Sequence, residues 1–326
     1  MYFAIGDKMI SKKILIEKKT HGEKTVFLVK APFPYSLEDT LECGQCFRHE
    51  LVKKEDGYVE YIVPLGGILA RVAQEKLGEV LFFDTDEKTV ESVLIPYFSL
   101  DTDYGEIKRD IVDRTDSEWL KRAADAAEGI AILRQDPWQT LFSFIISQNN
   151  NIPRIRKIVR EICAEYGVNI SLQNSAELCP IGIISSTPCE EKCKACGRCY
   201  TFPSPIEILE SPEKMLPSHP GFRYKYLYDA AVRVCDETVK LDEIMKAASY
   251  GFTVNELKKI KGVGDKVAAC AALFGFGNLE AFPIDVWMKR AIDTYFDGSL
   301  DVEALGPYAG IAQQYIFHYI RNIEGK

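Results

Sequence analysis

Two glycines one residue apart, Gly262 and Gly264, interrupt an otherwise helical pattern and constrain this 326-residue chain more than any other feature. Leu257 and Ile260 lie three apart at the end of one predicted helix, and Val267, Ala268, Ala271 and Ala272 supply the apolar face of the next. Without side chains at 262 and 264, the chain can pass through a hairpin too tight for other residues. The N–H groups of Gly262, Val263 and Gly264 are then expected to point outward, unpaired, at a helix N-terminus, which suits a phosphate. A plain helix-turn-helix shares this pattern, so what singles the hairpin out is the pair of charged residues that accompanies it. Lys266 stands in the first turn after the glycines. Asp285 follows within Phe282-Pro283-Ile284-Asp285-Val286, at a predicted helix start whose N–H groups can hold the carboxylate ionised.

The run Gly262-Val263-Gly264-Asp265-Lys266-Val267-Ala268, followed by Phe282-Pro283-Ile284-Asp285-Val286, resembles the signature of the helix-hairpin-helix/Gly-Pro-Asp DNA glycosylase superfamily. That resemblance implies a chemistry. A Lys266 amine kept neutral in a desolvated pocket attacks C1′ of a nucleotide, expels the base and leaves a Schiff base, whose elimination nicks the strand. Asp285 would stabilise the oxocarbenium-like charge and help to deprotonate the amine. Superfamily members without the lysine use an activated water, so Lys266 points to the class with both glycosylase and AP lyase activity.

Four further stretches, spread over most of the chain, resemble the 8-oxoguanine DNA glycosylase family. Cys43-Gly44-Gln45-Cys46-Phe47-Arg48 matches that family's Gly-Gln-x-Phe-Arg motif leading into a strand. 8-Oxoguanine carries a hydrogen on N7, where guanine offers an acceptor, so a backbone carbonyl can tell them apart; by resemblance Gly44 is that reader. Cys270 lies one helical turn after Lys266, and Phe317 one turn after Gln313. The resemblance implies a flipped base sandwiched between Cys270 and Phe317, with Gln313 on its Watson–Crick edge. Asn149 in the Gln148-Asn149-Asn150-Asn151 turn, together with Arg154, Phe222 and Arg223, resembles the parts that fill the vacated stack and hold the orphaned cytosine. Arg154 and Arg223 would read the cytosine's acceptors. Taken singly, these are also what a buried cysteine, a core aromatic and surface polar residues look like; together with the lysine they point to a site. Three departures bear on the opposite base and the 5′ phosphate rather than on base removal. Phe222 stands where eukaryotic members usually have tyrosine, Trp287 where they have histidine, and Ile320 where they have aspartate.

The formal net charge of −8 argues against a general affinity for DNA phosphates. It is a whole-molecule average, however, and one basic face suffices. The partner expected is double-stranded DNA containing a damaged base, bound by a monomer. No run approaches the ~20 apolar residues of a membrane span, and Met1 to Lys13 carries no secretory pattern. The expected location is the cytoplasm, at the nucleoid when DNA is bound. Ten cysteines in a reducing compartment suggest metal more than disulfides. Cys189, Cys193, Cys196 and Cys199 are spaced as a metal site, with structural zinc the first expectation and [4Fe–4S] the second. Catalysis by lysine and aspartate needs no cofactor.

The expected fold is α+β, an N-terminal antiparallel β-sheet packed on a mostly helical helix-hairpin-helix region in two lobes. The sheet and its helices should occupy residues 1–128 and the helical region 129–326, with a cysteine-rich insertion at 179–200. Asp56-Gly57 marks a hairpin between strands at 46–53 and 58–64, Asp136-Pro137 opens a helix, and Ser204-Pro205-Ile206-Glu207 is a capping box. Two other readings remain open from sequence: a related glycosylase for adenine, alkylated purines or oxidised pyrimidines, and a hairpin DNA-binding protein without activity.

Overall fold

A computed structural model describes residues 14–22, 24–170 and 199–324. The chain opens with β1 (Leu15–His21), β2 (Lys24–Lys30) and the short α1 (Leu37–Glu42), then runs through β3 (Glu50–Glu55), β4 (Tyr58–Leu65), β5 (Ile68–Lys76) and β6 (Glu79–Phe83). The strands form one antiparallel sheet in the order β1-β2-β6-β5-β4-β3. Side chains alternate between its faces. Phe27, Val29, Val72 and Phe82 enter the main core, while Val26, Leu28, Ala73 and Leu81 form a small cluster on the other face. Asp56-Gly57 turns the β3–β4 hairpin with Gly57 at φ +74°, as its sequence requires.

The rest is helical: α2 (Tyr104–Asp113), α3 (Glu118–Ala126), α4 (Pro137–Ile146), α5 (Ile152–Tyr166), α6 (Pro205–Glu210), α7 (Tyr224–Cys235), α8 (Leu241–Ala247), α9 (Tyr250–Leu257), α10 (Asp265–Gly275), α11 (Val286–Tyr295) and α12 (Ala309–Tyr319). Two groups of helices flank the site. α10 packs on α4, where Phe274 stacks on Phe144 at 5.5 Å and Thr140 closes on Gly275. α3 packs on α12, and its Trp119 stacks on Tyr295 at 4.4 Å and meets Tyr319 edge-on at 5.3 Å. One apolar core runs continuously from the sheet through both groups. Among the described residues, no helix is long and apolar enough to cross a membrane.

Several local expectations change. Cys46 to His49 is a loop, and the strand begins at Glu50. The reason is long-range: the Gln45 and Arg48 side chains bond to backbone and side chains far along the chain, which draws this segment off the sheet. β1 is an edge strand with mostly exposed side chains. The last helix opens at Ala309, after a kink at Gly306 (φ +72°). Among the described residues, Tyr200 makes an isolated bridge to Asn169. Cys189, Cys193 and Cys196 lie outside the described residues. Cys199 is fully buried beside Ile62, Leu69 and Ile170, on the sheet face away from the main core.

Candidate active site

The hairpin is built by local bonds and one long-range clamp. α9 ends at Leu257, and Gly262 turns the chain at φ +84° with the Tyr226 ring pressed on its Cα; an added Cβ would lie 2.5 Å from that ring. Gly264 then caps α10. Nothing lies within 4 Å of where a Cβ on Gly264 would project, so its face is open. Val263 departs from expectation: its N–H donates to the Ile260 carbonyl at 3.1 Å and its side chain is buried. It closes the turn rather than facing outward. The Lys261 N–H donates to Asp229 Oδ2 at 2.7 Å, and Gln148 Nε2 donates to the Gly262 carbonyl at 2.7 Å.

α10 carries Lys266 and Cys270 on one side. The Lys266 amine donates to Ser147 Oγ at 3.2 Å and lies 5.3 Å from the centre of the Phe144 ring. Neighbouring lysines are neutralised locally: Lys258 pairs with Asp265 at 2.6 Å and Lys259 with Glu256 at 2.5 Å. Lys266 forms no ion pair among the described residues. Asp285 is the N-cap of α11 and accepts from the Met288 N–H at 2.9 Å, which fixes the carboxylate. Burial pushes the Cys270 thiol up to about 11, with the Lys266 charge acting the other way, so it is a neutral thiol at physiological pH.

These groups meet in one small cavity. It is lined by Cys43, Gly44, Phe144, Lys266, Cys270, Phe274, Pro283, Asp285, Gln313, Gln314 and Phe317, and its volume is about 70 Å³. The lining comes from five stretches of the chain. Gly44 adopts φ +86°, a conformation open to glycine, at the end of α1. Gln313 is buried and its Oε1 accepts from Gln314 Nε2 at 2.6 Å; Phe317 is half-buried, with the Arg321 guanidinium 5.9 Å from its ring. A larger cavity of about 400 Å³ lies on the other side of Phe274, lined by Trp138, Phe202, Arg134 and Asp136 among others. Its lining holds no lysine.

The turn after α4 sits beside this cavity. Asn149 is exposed at φ +47°, a strained conformation for a residue with a side chain. Arg223, only 3% exposed, aims its guanidinium at this turn. Its Nε donates to the Gln148 carbonyl at 2.8 Å and its Nη2 donates to the Gln148 and Asn149 carbonyls, the latter at 3.0 Å. Here Arg223 is a brace for the turn, whereas Arg154, in the first turn of α5, is exposed. Phe222 is exposed beside them, its ring 4.5 Å from the Arg223 guanidinium.

Sequence reasoning passed over two residues. Gln45 is buried, donates to the carbonyls of Thr40 and Ala131 at 2.9 and 2.8 Å, and accepts from the Leu133 N–H at 2.8 Å. It pins the Gly44 turn to the segment that leads into α4. Its place inside the Cys43–Arg48 motif was the available signal. Ser147 touches the lysine amine, and nothing local in the sequence marks it.

The 8-oxoguanine DNA glycosylase N-terminal domain matches residues 28–141. MBOgg1, solved with a low-affinity DNA ligand, is 30% identical with a TM-score of 0.79, over 97% of this chain and 100% of that one. The Clostridium acetobutylicum 8-oxoguanine glycosylase/lyase, solved with double-stranded DNA containing cytosine opposite 8-oxoguanine, is 31% identical with a TM-score of 0.78, again over 97% of this chain and 100% of that one. The N-glycosylase/DNA lyase of Saccharomyces cerevisiae is 26% identical over 274 residues, 78% of this chain and 66% of the yeast protein, just under two thirds of its length.

Proposed function

The chain belongs to the 8-oxoguanine DNA glycosylase family, and from that premise we propose that it excises 8-oxoguanine from duplex DNA with Lys266 as nucleophile and Asp285 as its electrostatic partner. The observation that carries this reading is the small cavity in which Lys266, Asp285, Cys270, Gly44, Gln313 and Phe317 converge. Duplex DNA lies across the hairpin and the Asn149 turn, and the damaged nucleotide is flipped into the cavity. There the base lies between Cys270 and Phe317. The Gly44 carbonyl accepts from its N7–H, and Gln313 bonds its Watson–Crick edge. Outside the cavity, Asn149 fills the gap, Arg154 and Phe222 attend to the opposite cytosine, and Arg223 braces the turn that carries Asn149. The open N–H groups at Gly262 and Gly264 take a phosphate, with Val263 shaping the turn.

In the reaction, the Lys266 lone pair forms a bond to C1′ as the bond from C1′ to N9 breaks, and the electron pair leaves with the base, which takes up a proton. Asp285 stabilises the positive charge that develops at C1′. The sugar ring opens to a Schiff base. Loss of a C2′ proton then expels the 3′ phosphate and nicks the strand. The enzyme acts as a monomer in the cytoplasm, at the nucleoid when DNA is bound. The spacing of Cys189, Cys193, Cys196 and Cys199 would suit a structural zinc, with [4Fe–4S] the second choice; metal analysis of the purified protein separates the two. The test of function is a duplex with 8-oxoguanine opposite cytosine. Free 8-oxoguanine and a nicked strand are expected. Release of adenine or an alkylated purine from matching duplexes, with 8-oxoguanine untouched, would contradict the assignment.

A further inference from the structure

We infer that Ser147 is a positioning residue for the nucleophile, its hydroxyl oxygen accepting from the Lys266 amine and turning the lone pair toward the cavity. The inference rests on the reading of Lys266 as nucleophile. Ser147 caps the C-terminus of α4, and its hydroxyl hydrogen is already committed, donated to the Phe144 carbonyl at 2.7 Å. Its oxygen therefore meets the amine, 3.2 Å away, as an acceptor only. A neutral amine that gives one N–H to this oxygen carries its lone pair on another tetrahedral direction.

Two further features keep the arrangement in place. Phe144, one helical turn before Ser147, covers the amine, and its ring is locked by Phe274 at 5.5 Å and Phe47 at 5.5 Å. The residue after Ser147 is tied at both ends: Gln148 donates its side chain to the Gly262 carbonyl and accepts Arg223 on its own carbonyl. Ser147 thus stands between the amine and the turn that meets DNA, so the turn and the nucleophile are placed by the same few bonds. The other titratable groups at the cavity are the Cys43 and Cys270 thiols and Asp285. Burial holds both thiols protonated, and Asp285 is fixed by its own helix. None of these is hydrogen-bonded to the Ser147 hydroxyl.

The test is single-turnover release of 8-oxoguanine alongside equilibrium binding of the same duplex, for wild type, Ser147→Ala, Ser147→Cys and Ser147→Thr. Misaligned reacting groups cost roughly 10- to 100-fold in rate. Ser147→Ala is expected to slow release by at least about tenfold while DNA binding stays within about twofold. Ser147→Cys keeps the volume with a poor acceptor and should be equally slow, which covers the case in which the alanine variant does not fold. Ser147→Thr restores the hydroxyl and should return most of the rate. An unchanged rate in the alanine or cysteine variant overturns the inference. So does a loss that appears wholly in DNA affinity, or a folded threonine variant as slow as alanine. Lys266→Gln, run in parallel, keeps the premise separate: release by that variant at the wild-type rate removes the nucleophile itself.

Discussion

Gly262 and Gly264 share one role in the sequence, that of making a tight hairpin, yet they differ in what holds them. Gly262 combines φ +84° with the Tyr226 ring against its Cα. A Gly262→Ala side chain meets both a left-handed backbone and a clash, together costing about 1–3 kcal/mol or more. Gly264 has open space around it and an ordinary φ of −100°. Gly264→Ala is expected to cost less stability and to weaken DNA binding by placing a methyl where a phosphate approaches. Urea unfolding and duplex binding on both variants check this. A Gly264→Ala protein that binds as wild type would remove the hairpin from the DNA interface. The distinction could not be drawn from sequence, because Tyr226 lies in α7, with two helices between it and the hairpin.

At the scale of elements, what was legible was what is local. The Asp56-Gly57 turn, the Asp136-Pro137 helix start and the Ser204–Glu207 capping box each carry their own bonding partners within a few residues, and each forms as expected. The Cys46–His49 loop was misjudged because its partners are distant: Arg48 donates to Gln139 at 2.9 Å and to the Tyr200 carbonyl. Arg223 illustrates the same limit. Its motif suggested a reader of the opposite base, but a guanidinium this deeply buried needs acceptors, and the carbonyls of the Gln148–Asn149 turn supply them. Arg223→Lys replaces a planar fork with a point charge and is expected to destabilise the fold by about 1–3 kcal/mol. Excision should slow as the Asn149 turn loosens. If the variant is as stable as wild type and changes only the preference among opposite bases, Arg223 is a reader and not a brace.

Over the whole molecule, the sheet and the helices are joined by charge as well as by the core. Glu42 at the end of α1 bonds the Arg156 guanidinium at 2.8 Å and His49 at 3.1 Å, and Glu50 bonds Arg160 at 3.0 Å. Burial pushes the Glu42 carboxyl up, but His49 and Arg156 outweigh it and hold the group at about 2, below its ordinary 4.5. A depressed carboxylate stabilises the fold above its unfolded value, and that contribution is lost as pH falls from about 4.5 toward about 2. His49 is held neutral by burial, so its folded value lies below 6.5 and stability begins to fall once pH drops under 6.5. Denaturation midpoints measured from neutral to acid pH should decline in two stages, with Glu42→Gln flattening the lower one. A single decline below pH 4.5, or an unchanged lower stage in the variant, would contradict this reading of the cluster.

The family was readable from one hairpin and a handful of motif residues, which the fold brings to one cavity. How the cavity is braced was not readable, because Ser147, Gln45 and Arg223 act through contacts that only the folded chain creates. The central claim is that the Lys266 amine bonds to C1′ of the damaged nucleotide. Borohydride reduction during turnover of an 8-oxoguanine:cytosine duplex measures that bond. A covalent protein–DNA adduct is expected with wild type and none with Lys266→Gln, while Lys266→Gln still binds the duplex. An adduct of equal yield with Lys266→Gln, or none with wild type while base is released, would place the nucleophile elsewhere.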